Sequence, residues 1–596
     1  MEVQKSSGQA APAVPFPACL RYDAISGFLV FLIALPLCLA IGRASGFPPI
    51  AGVITAIVGG IIAPFFSNSE LTIKGPAAGL IAIVVGAVID FGGNTGVAAN
   101  DFNAYRMVLA VGLVASIIQI FFGLFKAGKL GDFFPTAAVH GLLASIGVII
   151  MIKQFLTMLG VTAKLPAENL HLIKEYGNFI LQLNPYVAGL GILSLSIMAL
   201  YPFLKAKPFR MIPVQVVVLG IALPLAFFLG IRRNTTPAAA PQAAIVAVAE
   251  TRPAAPPAEK LVNPYSLGGR EFNRDPAKYL INVPQDFRQA FVLPAFFEMD
   301  AAGHYTGKFH FDFMYNRDAF KFWKWVLMFS VIASLESLLS AKAVDFIDPQ
   351  RRKTDLNRDL LGCGIANTIA TCIGGLPMIS EIVRSRANVD AGAKTRFSNV
   401  FHGVFLLLFA SLLPFVLIYI PTAALAAMLV FTGFRLAHPR ELFHMWQIGK
   451  EQLLVFVTTI VAIVLTDLLV GVLIGMALEL AINLVRGLPI SAIFSPGIQV
   501  REEGDELIVA PQHAVTFSNW LPLRSKLETL GLKEGRNVTL DLSRTELVDH
   551  TAMEKLHEME RAFHGANLAL HVVGLEQHRA LSTHSAGARQ RFAAAV

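Results

Sequence analysis

Two stretches decide how this chain is read: Leu71-Thr72-Ile73-Lys74-Gly75-Pro76-Ala77-Ala78-Gly79 and Gly374-Gly375-Leu376-Pro377-Met378-Ile379-Ser380-Glu381-Ile382-Val383-Arg384. Each breaks an apolar run with Gly and Pro. Proline in the first turn of a helix loses no needed N–H, so Pro76 and Pro377 predict two short helices, over 76–90 and 377–390. The extended chain beside them, 71–74 and 378–380, must be covered by protein, because lipid offers no hydrogen-bond partners. A helix starting inside an apolar layer leaves unpaired N–H groups and about half a positive charge at its N-terminus. Two such ends facing each other predict an anion site. Pro-kinked continuous helices without a ligand are the alternative.

The surrounding sequence is that of a chain dissolved in lipid. Of the 596 residues, 55% are hydrophobic and 15% charged. Soluble domains carry roughly 25% charge, so an ordinary cytosolic enzyme and a disordered chain are both excluded. Apolar segments lie at 24–43, 49–66, 76–90, 106–125, 135–158, 185–204 and 212–231. Others follow at 323–344, 358–375, 377–390, 397–419, 422–436, 451–467 and 468–487. They predict an all-α polytopic membrane protein of fourteen spans. Short-loop Lys and Arg after the even spans (Lys126, Lys129, Lys205, Lys207, Arg210, Arg352, Lys353, Lys394, Arg396, Arg435, Arg440) fall on one side if both termini are cytoplasmic. Seven spans on each side of a linker predict two inverted repeats, the architecture of duplicated transporters. Pro76 lies 52 residues after Ala24 and Pro377 lies 52 after Trp325, so the broken helices hold matching places in the two halves.

Charge marks the boundaries. Residues 501–596 hold 11 Lys+Arg and 13 Asp+Glu, a soluble-like density. An island at 232–321 holds 11 basic and 9 acidic residues. The predicted organisation is therefore a cytoplasmic N-terminal segment (1–22), a first repeat (23–231), an extracytoplasmic insertion (232–322), a second repeat (323–490) and a cytoplasmic tail domain (500–596). The Ala/Pro-rich part of the island, 234–260, reads as extended; the rest suits either a small cap or a dispensable insertion. The net charge of +8 resides in the bundle, so it reports topology and no nucleic-acid partner. Cys19, Cys38, Cys363 and Cys372 are too scattered for a disulfide framework or zinc site. With no nucleotide loop, nucleophile triad or metal cluster evident, the chain does not read as an enzyme and implies no bound metal or cofactor.

Charges within spans are costly and mark function. Glu336, Ser337 and Ser340 share a helix face in the eighth span and are candidates to hold a coupling ion. Arg384, two turns into the second broken helix, is a candidate fixed charge for an anion. His140 and His402 read as structural, and Glu479 as a helix contact.

At these residues the chain resembles the SulP family of anion transporters, the sulfate permeases. The matching segments are Ile33-Ala34-Leu35-Pro36, Gly75-Pro76-Ala77-Ala78-Gly79 and Leu335-Glu336-Ser337-Leu338-Leu339-Ser340-Ala341-Lys342. Further matches are Asn357-Arg358-Asp359-Leu360, Gly364-Ile365-Ala366-Asn367, Gly374-Gly375-Leu376-Pro377, Arg384-Ser385 and Ala391-Gly392-Ala393-Lys394-Thr395. The resemblance implies a core domain (spans 1–4 and 8–11) moving past a gate domain (5–7 and 12–14) like an elevator. It implies secondary active transport of a small inorganic anion, sulfate or bicarbonate foremost, with Na⁺ or H⁺ as coupling ion. It implies a homodimer in the inner (plasma) membrane. The anion would be held by Gly75, Pro76, Ala77, Ala78, Pro377, Met378, Ile379, Ser380 and Arg384, with Pro36 beside them. An anion channel or exchanger, and a nucleobase transporter of the same architecture, are the alternatives. Leu37 stands where sulfate-type members often have Gln, which weakens any assignment of sulfate. The tail is similar to a STAS domain, an anti-sigma-antagonist-like α/β module: strand at 537–543, helix from 548 through 563, strand at 571–574. His550 stands where a phosphorylated Ser is common. Thr551 is assigned the helix N-cap, and His571, His578 and His584 are read as surface residues.

Overall fold

The structure is a computed structural model. It describes residues 16–93, 98–163, 165–166, 169–203, 212–231, 265–267, 270–272, 276–284, 286–300, 305–316, 318–350, 352–466, 468–503 and 506–591. Most of the N-terminal segment and the 234–260 stretch of the island lie outside the described residues. The chain forms two compact units, residues 1–128 with 150–433, and residues 129–149 with 434–596.

The first unit opens with α1 (Phe16–Ala44), which begins before the apolar run does. Its polar start is anchored, since buried Asp23 accepts from the amides of Lys394 (2.7 Å) and Thr395 (3.0 Å). Next comes α2 (Pro49–Ile61), whose first-turn proline suits a helix start. Then follow β1 (Ile73–Pro76), α3 (Ile81–Asp90), α4 (Ala98–Leu124) and α5 (Thr136–Met158), the last divided between the units. The helix α6 (Pro185–Leu200) is capped by Asn184, whose side chain accepts from the amides of Tyr186 and Val187, and α7 (Val214–Phe228) completes the first half.

The second half begins, after a short hairpin of β2 (Phe297–Met299) and β3 (Tyr305–Phe309), with α8 (Ala319–Met328), one π-helical turn (Phe329–Ala333) and α9 (Ser334–Ile347). Then come α10 (Leu356–Cys372), capped by Asp355, β4 (Met378–Glu381), α11 (Ile382–Asp390), α12 (Phe397–Leu412) and α13 (Thr422–Leu436). Among the described residues, six helices are long and apolar enough to cross a membrane, and four shorter apolar helices accompany them. The protein is a polytopic helical membrane protein, and each predicted apolar segment contains helix, in 76–90 and 377–390 only over their second parts.

One expectation is corrected. Neither broken helix starts at its proline. Gly75 and Pro76 lie in β1, and α3 begins at Ile81; Pro377 precedes β4, and α11 begins at Ile382. The two strands pair antiparallel, with Ile73 opposite Glu381, Lys74 opposite Ser380, Gly75 opposite Ile379 and Pro76 opposite Met378. Pairing supplies the bonds that lipid cannot, so extended chain wins over the early helix start.

The second part of the island is docked on the helices. Ile281 N donates to Ile420 O (3.1 Å), Val292 N to Ile373 O (3.4 Å) and Ala295 N to Arg106 O (3.0 Å). The Arg106 side chain donates to the carbonyls of Leu293 (3.1 Å), Pro294 (3.3 Å) and Phe297.

In the second unit α14 (Pro439–Ile448), α15 (Lys450–Leu465) and α16 (Leu468–Val485) precede the tail. The sequence places a loop where α14 lies. The tail contains β5 (Ile498–Glu503), β6 (Glu506–Pro511), α17 (Trp520–Leu527), β7 (Val538–Asp541), α18 (His550–Gly565) and β8 (Leu570–Val573). The sheet order is β8-β7-β6-β5, parallel except for the β5–β6 hairpin. Trp520, Leu523, Leu527, Leu540, Met559 and Phe563 fill the core of this domain. The N-cap of α18 is Asp549, which accepts from Ala552 N, and not Thr551. Thr551 Oγ1 instead accepts from Thr136 N at 3.2 Å. His578 is buried, bonded to Gly574 O (3.0 Å) and Thr545 O (2.8 Å), so it is not a surface residue.

Arg106→Ala removes three charged hydrogen bonds to carbonyls of the docked segment. At about 1–2 kcal/mol net, it is expected to lower the unfolding midpoint of the purified protein and to admit protease near residue 295. A midpoint equal to wild type would show the segment is held elsewhere.

Candidate functional site

The β1–β4 ribbon is the centre of the first unit. Alternate residues of a strand point to opposite faces, so the register sorts the side chains. Lys74 and Ser380, opposite each other, point toward α10. There Lys74 Nζ meets Asp359 Oδ1 at 2.6 Å and Ser380 Oγ at 2.7 Å. Ser67 Oγ donates to the same Asp359 oxygen at 2.6 Å, and Ser380 Oγ to the other at 3.2 Å. Lys74 and Asp359 are 1% and 0% exposed. A buried ion pair is tolerated only when hydrogen bonds satisfy both partners, as they do here.

Side-chain donors and acceptors also grip the ribbon's ends. Asn367 takes Met378 N on Oδ1 (2.6 Å) and gives Nδ2 to Met378 O (3.0 Å), imitating a third strand. Thr55 Oγ1 donates to Leu376 O (3.0 Å), and Ile73 N donates to Ser385 Oγ (2.8 Å).

The other face carries Gly75 and Glu381. Arg384, 1% exposed, lies over Gly75; a Cβ there would stand 2.5 Å from its Nη1. The guanidinium donates to Pro76 O (2.7 Å) and reaches Cys38 Sγ (3.5 Å). Glu381 stands 3.8 Å from it, and the Ala78 amide donates to the Glu381 carboxylate. Glu336 closes the site from α9. Its Oε1 would lie 1.9 Å from a Cβ on Gly79, so only glycine fits there. Three buried groups keep atoms without a hydrogen-bond partner: Glu336 Oε2, Glu381 Oε1 and both ring nitrogens of His402. Charge at this face is one guanidinium against two carboxylates.

The ribbon brings most of the candidate residues together. Gly75, Pro76, Ala77, Ala78, Pro377, Met378, Ile379, Ser380 and Arg384 are all buried on or beside it. Pro36 is buried in α1, two residues before Cys38. Their roles divide, however. Met378 packs its side chain among Val58, Ala63, Ala366 and Ala370, and Ser380 belongs to the Lys74–Asp359 network. Ser337 does not act beside the Glu336 carboxylate; its hydroxyl donates to Ser380 Oγ (3.2 Å) and accepts from Ser380 N (3.2 Å). Ser340 is buried on the same helix. Residues 77–80 lead from the ribbon into α3, and the Ala78 amide donates to the carboxylate of Glu381, the residue that precedes α11. Sequence reasoning missed Lys74, Asp359 and Glu381 as site residues. The signal for Asp359 was charge within an apolar segment, for Lys74 charge in the extended stretch beside Pro76, and for Glu381 the spacing of three to Arg384. Among the described residues no group of His, Cys, Asp and Glu is arranged to hold a metal ion.

The sequence pattern of the sulfate permease family matches residues 20–242 and 308–459. The chain belongs to the sulfate permease family. It is 24% identical to YvdB of Bacillus subtilis over 576 residues, 95% of this chain and 93% of YvdB. It is 24% identical to the bicarbonate transporter BicA of Picosynechococcus over 508 residues, 84% of this chain and 76% of BicA. The solved structure of the murine Slc26a9 anion transporter, in its inward-facing state, matches with a TM-score of 0.60 at 14% identity, covering 93% of this chain and 85% of that one. This sulfate permease family member therefore has the fold of that group, with the paired broken segments at its centre.

Lys74→Met strands Asp359 in the interior and is expected to cost about 3–5 kcal/mol. The double variant Lys74→Met, Asp359→Leu is expected to recover most of the loss. Thermal unfolding of the three purified proteins checks this; a double variant no better than the single one would show that the charges themselves are needed.

Proposed function

We propose that this protein is a secondary active transporter of a small inorganic anion, carried between the β1–β4 ribbon and α1. The observation that carries the reading is the buried Arg384 guanidinium, a fixed positive charge that fits over Gly75 only because no side chain stands there. Arg384 supplies the charge and the amides leading into α3 supply further donors. Sulfate and bicarbonate are the leading substrates, because the relatives include a bicarbonate transporter and the family takes its name from sulfate.

Coupling follows from charge. Glu336 and Glu381 exceed Arg384 by one negative charge, and each carboxylate has an oxygen without a hydrogen-bond partner. An anion enters such a site readily only if a proton or Na⁺ enters with it. Glu336 is the carrier of that cation in this reading. Fourteen spans, a core moving past a gate, a homodimer, cytoplasmic termini and a STAS-type tail complete the proposal. The parallel β6-β7-β8 arrangement with α18 between β7 and β8 supports the last.

Uptake of labelled sulfate and bicarbonate into proteoliposomes, with imposed Na⁺ or proton gradients, tests the function. Absence of gradient-dependent flux for any small anion would overturn it. Flux without saturation would favour a channel, and competition by uracil or xanthine a nucleobase carrier. Arg384→Ala is expected to raise the anion KM at least about tenfold, the equivalent of one lost charged hydrogen bond; an unchanged KM would remove Arg384 from the site. Glu336→Gln is expected to abolish dependence on the cation gradient while the protein still folds. Normal coupled uptake in that variant would remove Glu336 from coupling.

A further inference from the structure

A second polar cluster lies in the other unit, on α16. Glu479, Asn483 and Arg486 follow at spacings of four and three, so they line one stripe of the helix. Glu479 is 1% exposed and Asn483 2%. From α15, Gln452 donates Nε2 to Glu479 Oε1 at 3.0 Å. This leaves two buried acceptors side by side, Glu479 Oε2 and Gln452 Oε1, neither with a hydrogen-bond partner. Buried polar atoms are nearly always paired, so two orphan acceptors in contacting side chains point to a missing donor.

The charged groups that face Glu479 do not supply it. Among the described residues, Glu451 of α15 and Asp549 of the tail are anions, and the cation that acts on Glu479, Arg486, is paired with Glu451. Elsewhere around this layer the packing is apolar: α5 contributes Ala137 and Ala138, and α14 contributes Met445 and Ile448. His140 of α5 pairs with Glu441 of α14 at 3.2 Å. An ionised Glu479 would thus lie buried among like charges without compensation.

We propose that Glu479 is a proton-binding site, its carboxyl held neutral in the folded protein, and that this proton secures the tail domain. The connection is Asn483, whose Nδ2 donates to Asp549 Oδ2 at 3.1 Å. Asp549 also receives Phe517 N (2.8 Å) and Ala552 N (2.7 Å), so it joins α16, the loop before α17 and the start of α18. Burial pushes the Asp549 carboxyl up from its ordinary range, and the two amides oppose that shift. Losing the proton sets a third negative charge beside Glu451 and Asp549. The seam through Asn483 then loosens. A folded state that holds a proton the unfolded chain releases loses stability as pH rises, so the grip weakens toward alkaline pH. The site is remote in sequence from the ribbon residues and does not depend on which anion is carried.

The test uses the full chain in lipid nanodiscs and does not read transport. Infrared spectra at neutral pH are expected to show a protonated-carboxyl C=O band that is lost in Glu479→Gln, retained in Glu336→Gln and unchanged when Na⁺ is replaced by choline. Should Glu479→Gln fail to fold, Glu479→Asp is expected to shift the band instead. Hydrogen exchange at Phe517 and Ala552, corrected for intrinsic rates, is expected to rise severalfold from neutral to alkaline pH in the wild type. In Glu479→Gln it is expected to stay flat. Asn483→Ala is expected to keep the band and lose the pH dependence. Spectra identical in wild type and Glu479→Gln would overturn the proton site. A band that appears only on removing Na⁺ would overturn it in favour of a cation site. A pH response unaltered in Asn483→Ala would overturn the link to the tail.

Discussion

A non-helical backbone segment in an apolar layer must find every hydrogen bond within the protein. That constraint organises the first unit. β1 and β4 satisfy part of it by pairing with each other, and the remaining groups are met by Asn367, Thr55 and Ser385. The Lys74–Asp359 pair fastens the ribbon to α10 with hydrogen bonds from Ser67 and Ser380. The ribbon is held on one face by this ion pair, and on its other face the Arg384 guanidinium packs over Gly75.

The two faces also separate structure from proposed function. On one, Lys74 and Asp359 cancel, and every partner is spoken for. On the other, Arg384 faces Glu381 and Glu336, with orphan oxygens on both carboxylates. A π-helical turn precedes α9, and on α9 the Glu336 carboxylate faces Gly79 while Ser337 turns to Ser380.

Much of this was legible in the sequence. Apolar length marked the helices, and Gly-Pro punctuation at matched positions located both broken segments. Arg384 stood out as a charge within the second of them, but its contact with Gly75 and Pro76 of the first was not legible. What was not legible depends on partners far away in the chain. Lys74 and Asp359 are 285 residues apart, and nothing local to either announces the other. The proline rule placed the helix starts five residues too early, because it weighs only the local N–H and not the cross-strand bonds available once the halves meet. Asp549 took the N-cap from Thr551 for a similar reason: Thr551 is engaged by Thr136, and Asp549 is fixed by Asn483 and Phe517.

By itself the sequence determined that this chain lives in a membrane, that its apolar run is broken twice at equivalent places, and that a soluble-like α/β domain closes it. Those properties follow from composition and short-range periodicity, which burial in lipid imposes residue by residue. Only the tertiary structure decided that the two breaks pair as one ribbon, that its charges sort by face, and that the docked island and the α16 ladder hold their units together. These depend on antiparallel register and on contacts between distant segments, where shifting one residue would exchange the faces and move Arg384, Glu381 and Lys74 to the wrong sides.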